Sequence, residues 1–219
     1  MQDTAFLETK SFEKTIADWI YSKDALFEEG HRFDHIARVV QLARKIAIAE
    51  QADLKIVIPA AYLHDCFPVS KKDPRRKQAS KLSAECAKKF LEGIAYPKEY
   101  IDPIMHAIAA HSYSSGIKAQ TLEAKVVQDA DRLDALGAIG IARVFALGGQ
   151  FNSSLYHPKD PFCREGKYQD DCYILDHFYT KLLKIKDMLH TKEAQKIGAV
   201  RHQQMLTFIK ELGENIIGQ

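Results

Sequence analysis

The sequence contains neither a long apolar run nor a dense set of cysteines. Nowhere do about 18 consecutive apolar residues occur, as a membrane-spanning helix would need, and the N-terminal segment MQDTAFLETKSF lacks the apolar core of a secretory signal. The four cysteines lie far apart without a C-x-x-C pair, which excludes a zinc ribbon and a disulfide-rich scaffold. We therefore expect a cytoplasmic protein with reduced thiols and no membrane partner.

The sequence also lacks an excess of charge of either sign. Its 31 Lys and Arg residues and 29 Asp and Glu residues leave a formal net charge of +2. Because this balance predicts no broad basic surface, we expect no nucleic-acid partner, and an anionic ligand must be bound by a local site. The length of 219 residues and the hydrophobic content of 46% are sufficient for one domain with a large core.

Apolar residues recur at helical spacing through most of the chain, whereas two-residue alternation is scarce. The pattern predicts an all-α protein that forms a single-domain helical bundle over residues 1–219. The predicted helices are 4–20, 32–50, 53–66, 80–93, 98–112, 120–147, 172–190 and 192–213. Segments 67–79 and 148–171, rich in proline, glycine and polar residues, are predicted as loops, and loops of such length are often functional.

Polar residues interrupt two of the apolar helices. His64 and Asp65 follow the apolar run IPAAYL, and Asp131 lies within VVQDADRLDALGAIGIA. Burying such side chains is costly unless they are hydrogen-bonded, paired or bound to a cation. On an ideal helix Asp134 lies roughly 60° from Asp131 and can share its face, whereas Asp129 is turned away by roughly 200°. These interruptions therefore indicate a functional centre.

The candidate metal ligands are two histidines and two carboxylates: His35, His64, Asp65 and Asp131. This mixed nitrogen and oxygen set suits Mn²⁺, Fe²⁺, Co²⁺, Ni²⁺ or Zn²⁺ and disfavours a structural zinc site built from thiolates. Four protein ligands on a metal that prefers six leave positions for water and a phosphate oxygen. The alternative is a set of core polar residues that hydrogen bonds and helix ends satisfy.

The order of these residues resembles the motif of the HD superfamily of metal-dependent phosphohydrolases. The matching parts are His35 in HRFDHIARVV, the adjacent His64-Asp65 in AAYLHDC, and Asp131 in QDADRLDALGAIGIAR. The resemblance implies an HD-type helical bundle with its metal-site core over 27–147. It also implies that these four residues bind one divalent metal, for which we expect Mn²⁺, with Fe, Co, Ni, Zn or Mg as the alternatives.

The similarity extends beyond the metal motif. The paired glycines after position 147 and the segments HFYTKLLKIKDML and RHQQML resemble the bacterial branch that includes nucleoside triphosphate pyrophosphohydrolases. The loop QFNSSLYHP differs from that branch, which often carries Arg-Pro and Tyr-Asp-Pro there. The resemblance implies C-terminal helices over 172–213 that pack on the metal-site core.

The candidate substrate contacts are Lys71, His111 and Arg132. Lys71 belongs to a basic loop that directly follows Asp65, where relatives place a lysine followed by a proline, although a solvated charged loop is the usual meaning of such a run. His111 could instead be a structural histidine or a ligand of a second metal. Arg132 could instead form an ion pair in the core. His31 is interpreted as a solvated cap residue at a helix entrance.

These features together predict a metal-dependent phosphohydrolase that acts on a nucleotide. We expect it to split a nucleoside triphosphate into a monophosphate and pyrophosphate, with Asp65 and Asp134 as the catalytic carboxylates. Asp134 would orient the water or a ligand. The alternatives are a nucleoside monophosphate phosphatase, a hydrolase of a guanosine polyphosphate or cyclic nucleotide, and a catalytically silent nucleotide sensor. A homo-oligomer is left open.

Overall fold

The structure is a computed structural model that describes residues 2–23, 33–70 and 73–217. Within these ranges the regular elements are helices, which confirms the predicted all-α class, and one isolated β-bridge joins Ser154 to Tyr173. None of the described helices is long and apolar enough to cross a membrane. The α-helices are α1 (Gln2–Tyr21), α2 (Phe33–Glu50), α3 (Leu54–Leu63), α4 (Ala79–Gly93), α5 (Lys98–His111), α6 (Leu122–Leu133), α7 (Gly137–Gln150), α8 (Ile174–Thr180) and α9 (Lys192–Ile217).

The chain divides into two compact units, residues 1–131 and 132–219, and each is described by itself. In the first unit α3 contacts α1, α2, α4 and α5. It is apolar on nearly every side, as a helix in the centre of a core must be, and its buried residues include Val57, Ile58 and Leu63. The single domain expected over 1–219 and the packing of its C-terminal helices on the metal-site core stay predictions.

Helix α3 ends earlier than the predicted range of 53–66. Asp53 caps its N-terminus by accepting a hydrogen bond from the backbone N–H of Lys55, and the last helical residue is Leu63. His64 and Asp65 consequently lie in the turn that follows α3. The apolar helix thus delivers two polar side chains at its end.

The helix predicted over 120–147 is wrong, because the chain breaks between α6 and α7. Leu136 is extended and Gly137 has a φ of +71°, a left-handed conformation that a glycine adopts without strain. Asp134 therefore lies in a turn, so the helical spacing that relates it to Asp131 does not apply. The break also permits close packing, since a Cβ on Gly140 would lie 2.2 Å from the backbone oxygen of Ala135.

In the second unit α7 packs on α9, and α8 packs beside α7. The ring of Phe178 is fully buried and lies near the rings of Phe145 and Phe208. Helix α7 continues through the paired glycines to Gln150 instead of ending before them. The predicted helix 172–190 is also wrong in part, because α8 ends at Thr180 and a 3₁₀-helix follows over Leu182–Met188.

The predicted loop 67–79 contains a 3₁₀-helix over Pro74–Gln78. Asp73 caps the start of this helix by accepting a hydrogen bond from the backbone N–H of Arg75. Pro74 fits the first helical position because a backbone N–H is not needed there. Lys71 and His31 lie outside the described residues.

Candidate metal centre

Five side chains from four helical segments of the first unit meet at one place. His35 comes from the first turn of α2, His64 and Asp65 follow α3, His111 ends α5, and Asp131 lies near the end of α6. The three imidazoles are buried, whereas the side chains of Asp65 and Asp131 keep exposed fractions of 20% and 29%. The cluster is therefore open to solvent on its carboxylate side.

The ligand atoms of this cluster converge. Asp131 Oδ1 lies 3.4 Å from His35 Nε2 and 3.9 Å from His64 Nε2. Asp65 Oδ2 lies 3.7 Å from His64 Nε2, and its Oδ1 lies 3.5 Å from His111 Nε2. Ligands about 2.1 Å from one metal are separated by about 3 Å when adjacent and about 4 Å when opposite, so these spacings fit a shared ion.

The ligand atoms form two overlapping groups. His35, His64 and Asp131 make one group, and His64, Asp65 and His111 make the other; within each group the ligand atoms lie within 4.8 Å of one another. His64 belongs to both. The structure thus brings together all four predicted metal ligands and adds His111 beside them.

Backbone carbonyls orient two of the imidazoles. His64 Nδ1 lies 2.8 Å from the carbonyl oxygen of Ala61, and His111 Nδ1 lies 2.7 Å from that of Ile108. A carbonyl only accepts, so each Nδ1 must carry the proton, and each Nε2 keeps its lone pair. The Nε2 atom of His64 is buried and has no hydrogen-bond partner among the described residues. This buried lone pair faces the carboxylates of Asp65 and Asp131, which are also acceptors. A metal ion between them would bind the imidazole and the carboxylates together.

The electrostatics favour the protonation states that metal ligands need. Burial lowers the pKa of His64 to about 4, in spite of the charges of Asp65 and Asp131, so this imidazole is neutral near pH 7. Burial acts to raise the pKa of Asp131, but the hydrogen bond with His35 and the electrostatic interactions with the surrounding imidazoles outweigh it and lower that pKa. Neutral imidazole and ionised carboxylate are the forms that bind metals.

His111 differs from His64 in its ionisation. Burial acts to lower its pKa, but the hydrogen bond and the charge of Asp65 raise it above the ordinary value. A protonated His111 can donate to an anion, whereas a neutral one can bind a metal. Of the three roles that the sequence left open, its position beside Asp65 is compatible with a phosphate contact and with a metal ligand.

The other predicted site residues belong to the second unit or to the basic loop. Asp134 is almost fully buried and forms an ion pair with Arg143 of α7. Arg132 donates to the backbone oxygen of Met188. Their roles in catalysis and substrate binding stay predictions, as does that of Lys71.

Two cations of the basic loop have local partners. Arg75 pairs with Asp73 at 2.8 Å, and Arg76 donates to the backbone oxygen of Val69 at 2.8 Å. Arg75 and Arg76 are therefore held by contacts within the first unit.

Sequence reasoning missed one residue that supports the site. Gln128 is buried on α6, and its Nε2 donates at 2.7 Å to the carbonyl oxygen of Ala110, the residue before His111. It therefore joins the helix that carries Asp131 to the helix that ends in His111. The only sequence signal was a polar residue in an apolar helix, which does not identify its partner.

Comparison with known proteins shows the family. Residues 32–136 match the HD domain family. The chain is 35% identical over 215 residues to YpgQ of Bacillus subtilis and covers 96% of each sequence. It is similar to the crystal structure of YpgQ in complex with ADP, with a TM-score of 0.75 over 94% of this chain and 96% of that one.

A second solved structure gives the same result. An HD-superfamily hydrolase from Bacillus thuringiensis is 30% identical, with a TM-score of 0.76 over 96% of this chain and all of that one (100%). The helical fold, the ordered His, His-Asp and Asp residues, and these relatives agree. The chain therefore belongs to the HD superfamily of metal-dependent hydrolases.

Proposed function

We propose that this protein is a phosphohydrolase that splits a nucleoside triphosphate into a monophosphate and pyrophosphate. The observation that carries the proposal is the convergence of imidazole and carboxylate ligand atoms at the partly exposed carboxylates of the first unit. A nucleotide is supported by the structure of YpgQ, a relative of similar length, in complex with ADP.

His35, His64, Asp65 and Asp131 are the proposed ligands of one divalent metal, with Mn²⁺ as the expected ion. When bound there, the metal supplies an acidified water and a Lewis acid for a phosphoryl oxygen. The protein holds the ligand side chains in place. The carbonyl of Ala61 fixes the tautomer of His64, and the two carboxylate oxygens of Asp65 face His64 and His111.

His111 is the proposed phosphate contact next to the ligands. Its Nδ1 is held by the carbonyl of Ile108, so its Nε2 is fixed beside Asp65. When protonated, Nε2 can donate to a phosphoryl oxygen and stabilise charge as the leaving group departs. Lys71 and Arg132 are proposed as further substrate contacts, and Asp134, held by Arg143, as a positioning carboxylate.

A turnover screen tests the proposal. The purified chain is incubated with nucleoside triphosphates, diphosphates and monophosphates in Mn²⁺, Mg²⁺, Co²⁺ or Ni²⁺, and pyrophosphate and orthophosphate are measured separately. We expect pyrophosphate from triphosphates and a loss of at least about a hundredfold in kcat for Asp65→Asn. The matched control is Asp102→Asn, which changes an exposed carboxylate on α5.

The outcomes separate the alternatives. Orthophosphate from monophosphates would replace the proposal with a nucleotide phosphatase. Tight nucleotide binding with turnover no higher than in metal-free controls would replace it with a sensor. Equal rates in the wild type and Asp65→Asn would contradict any activity at this site.

A further inference from the structure

Two cysteines, Cys66 and Cys86, lie in the turn that follows α3 and on the neighbouring helix α4. Cys66 follows the proposed ligand Asp65, is 1% exposed, and its Sγ donates at 3.3 Å to the carbonyl oxygen of Ser83 on α4. The backbone N–H of Phe67 donates at 3.3 Å to Ser83 Oγ. The turn that carries His64 and Asp65 is thus attached to α4 through the residue next to Asp65.

Cys86 lies on α4 three residues after Ser83, which places both on the same face of the helix. It is half-buried, so solvent can reach it, and its side chain interacts with the thiol of Cys66, whose Sγ lies 3.3 Å from the carbonyl oxygen of Ser83 one turn earlier on α4. Both cysteines are reduced in this structure. Two thiols from different segments are therefore neighbours, one accessible and one buried.

The charges around Cys86 favour its thiolate. Lys23 lies near it, with its ammonium 4.0 Å from the centre of the Trp19 ring, and Lys89 is three residues further along α4. The interaction with the Cys66 thiol and these two cations lower the pKa of Cys86 below the ordinary value of a thiol, although burial opposes them. Reactive cysteines occur in such partly exposed, electropositive surroundings.

We propose that Cys66 and Cys86 form a reversible disulfide when the protein meets a peroxide, and that this bond weakens the metal site. The Cys86 thiolate attacks a peroxide oxygen, so that an S–O bond forms, the O–O bond breaks and hydroxide leaves. The Cys66 sulfur then attacks Cys86, the S–O bond breaks, and the departing hydroxide takes the Cys66 proton to leave as water. Two thiols lose two electrons in total, and a dithiol reverses the change.

The effect on the metal follows from the position of Cys66. Its sulfur must leave the carbonyl of Ser83 and approach to about 2.05 Å from the Cys86 sulfur. The turn next to Asp65 moves with it. Disturbing the groups that orient a metal ligand costs about tenfold to a hundredfold in metal affinity. This second step rests on the proposed function, whereas formation of the bond does not.

Peptide mapping tests the bond in the full chain. The reduced protein is treated with hydrogen peroxide at increasing ratios, blocked with an alkylating reagent and digested without reductant. We expect a peptide linking Cys66 to Cys86 to appear before oxidation of Cys172, the exposed cysteine, and to be absent from Cys86→Ser but present in the matched control Cys172→Ser. Oxidation of Cys172 while Cys66 and Cys86 stay reduced would overturn the proposal. This result can be read from the wild-type protein alone, so it does not depend on whether a variant folds.

Calorimetric titration with Mn²⁺ tests the coupling. We expect the oxidised protein to bind Mn²⁺ about tenfold to a hundredfold more weakly than the reduced protein, and dithiol treatment, followed by removal of the dithiol, to restore binding. A disulfide that leaves Mn²⁺ affinity unchanged would overturn the coupling. If neither form binds Mn²⁺, the proposed metal site is refuted together with the coupling, while the peptide map still decides the reactivity of the pair.

Discussion

Replacement of His64 by glutamine should remove part of the acid sensitivity of the metal-free protein. Burial lowers the pKa of His64 from an ordinary value of 6.5 to about 4. The unfolded chain therefore takes up a proton at this residue before the folded protein does. Stability that depends on neutral His64 is present above pH about 6.5 and is lost as the pH falls towards about 4.

The expected magnitude follows from these two pKa values. Between pH about 7 and pH about 5 the folded protein should lose about 2 kcal/mol of unfolding free energy through His64 alone. Asp131 contributes little in this window, because its ordinary pKa of 3.8 and its still lower pKa in the folded protein both lie below pH about 5. The difference between wild type and His64→Gln therefore reports the contribution of His64 together with its interactions with Asp65, His111 and Asp131.

Urea denaturation of chelator-treated protein, followed by circular dichroism near pH 7 and near pH 5, measures this effect. The wild type should lose about 2 kcal/mol more than His64→Gln between the two conditions. The control is His190→Gln, which changes an exposed histidine and should follow the wild type. An equal loss in wild type and His64→Gln would refute the buried neutral imidazole on which the metal site depends.

Three further predictions concern packing and the site. Gly140→Ala should have a melting temperature well below that of Gly149→Ala. A Cβ at Gly140 would lie 2.2 Å from a backbone oxygen, whereas nothing lies within 4 Å of a Cβ at Gly149. Equal melting temperatures would contradict this packing. Gln128→Leu should lower the free energy of unfolding, measured in urea, by about 1–3 kcal/mol, because the buried carbonyl of Ala110 loses its hydrogen bond from Gln128. An unchanged free energy of unfolding would show that this hydrogen bond does not stabilise the fold. His111→Gln should lower kcat while Mn²⁺ affinity in a calorimetric titration stays unchanged; a loss of bound metal would make His111 a ligand instead of a phosphate contact.

The metal cluster was predictable because its chemistry conflicts with its local surroundings. His64 and Asp65 directly follow an apolar helix, and a polar pair in such a place needs a partner or a cation. The ordered motif then supplied the distant members, His35 and Asp131, which the structure brings within 3.9 Å of their neighbours. The structure places these ligand atoms close together, whereas their binding of a metal is proposed.

The remainder depends on tertiary structure that a local pattern does not contain. The apolar spacing continues across Gly137, so no helical period reveals the break that places Asp134 in a turn paired with Arg143. His111 lies 46 residues after Asp65 in the sequence, and only the packing of α5 against α3 brings them to 3.5 Å. Sequence reasoning therefore identifies residues that need partners more readily than it identifies the partners.

The most direct test of the central claim is an anomalous difference map, recorded at the manganese edge, from crystals of the full chain grown with Mn²⁺. The account predicts one strong peak within bonding distance of His35 Nε2, His64 Nε2 and carboxylate oxygens of Asp65 and Asp131. A map with no peak among these four side chains, from crystals in which Mn²⁺ is present in excess, would contradict it.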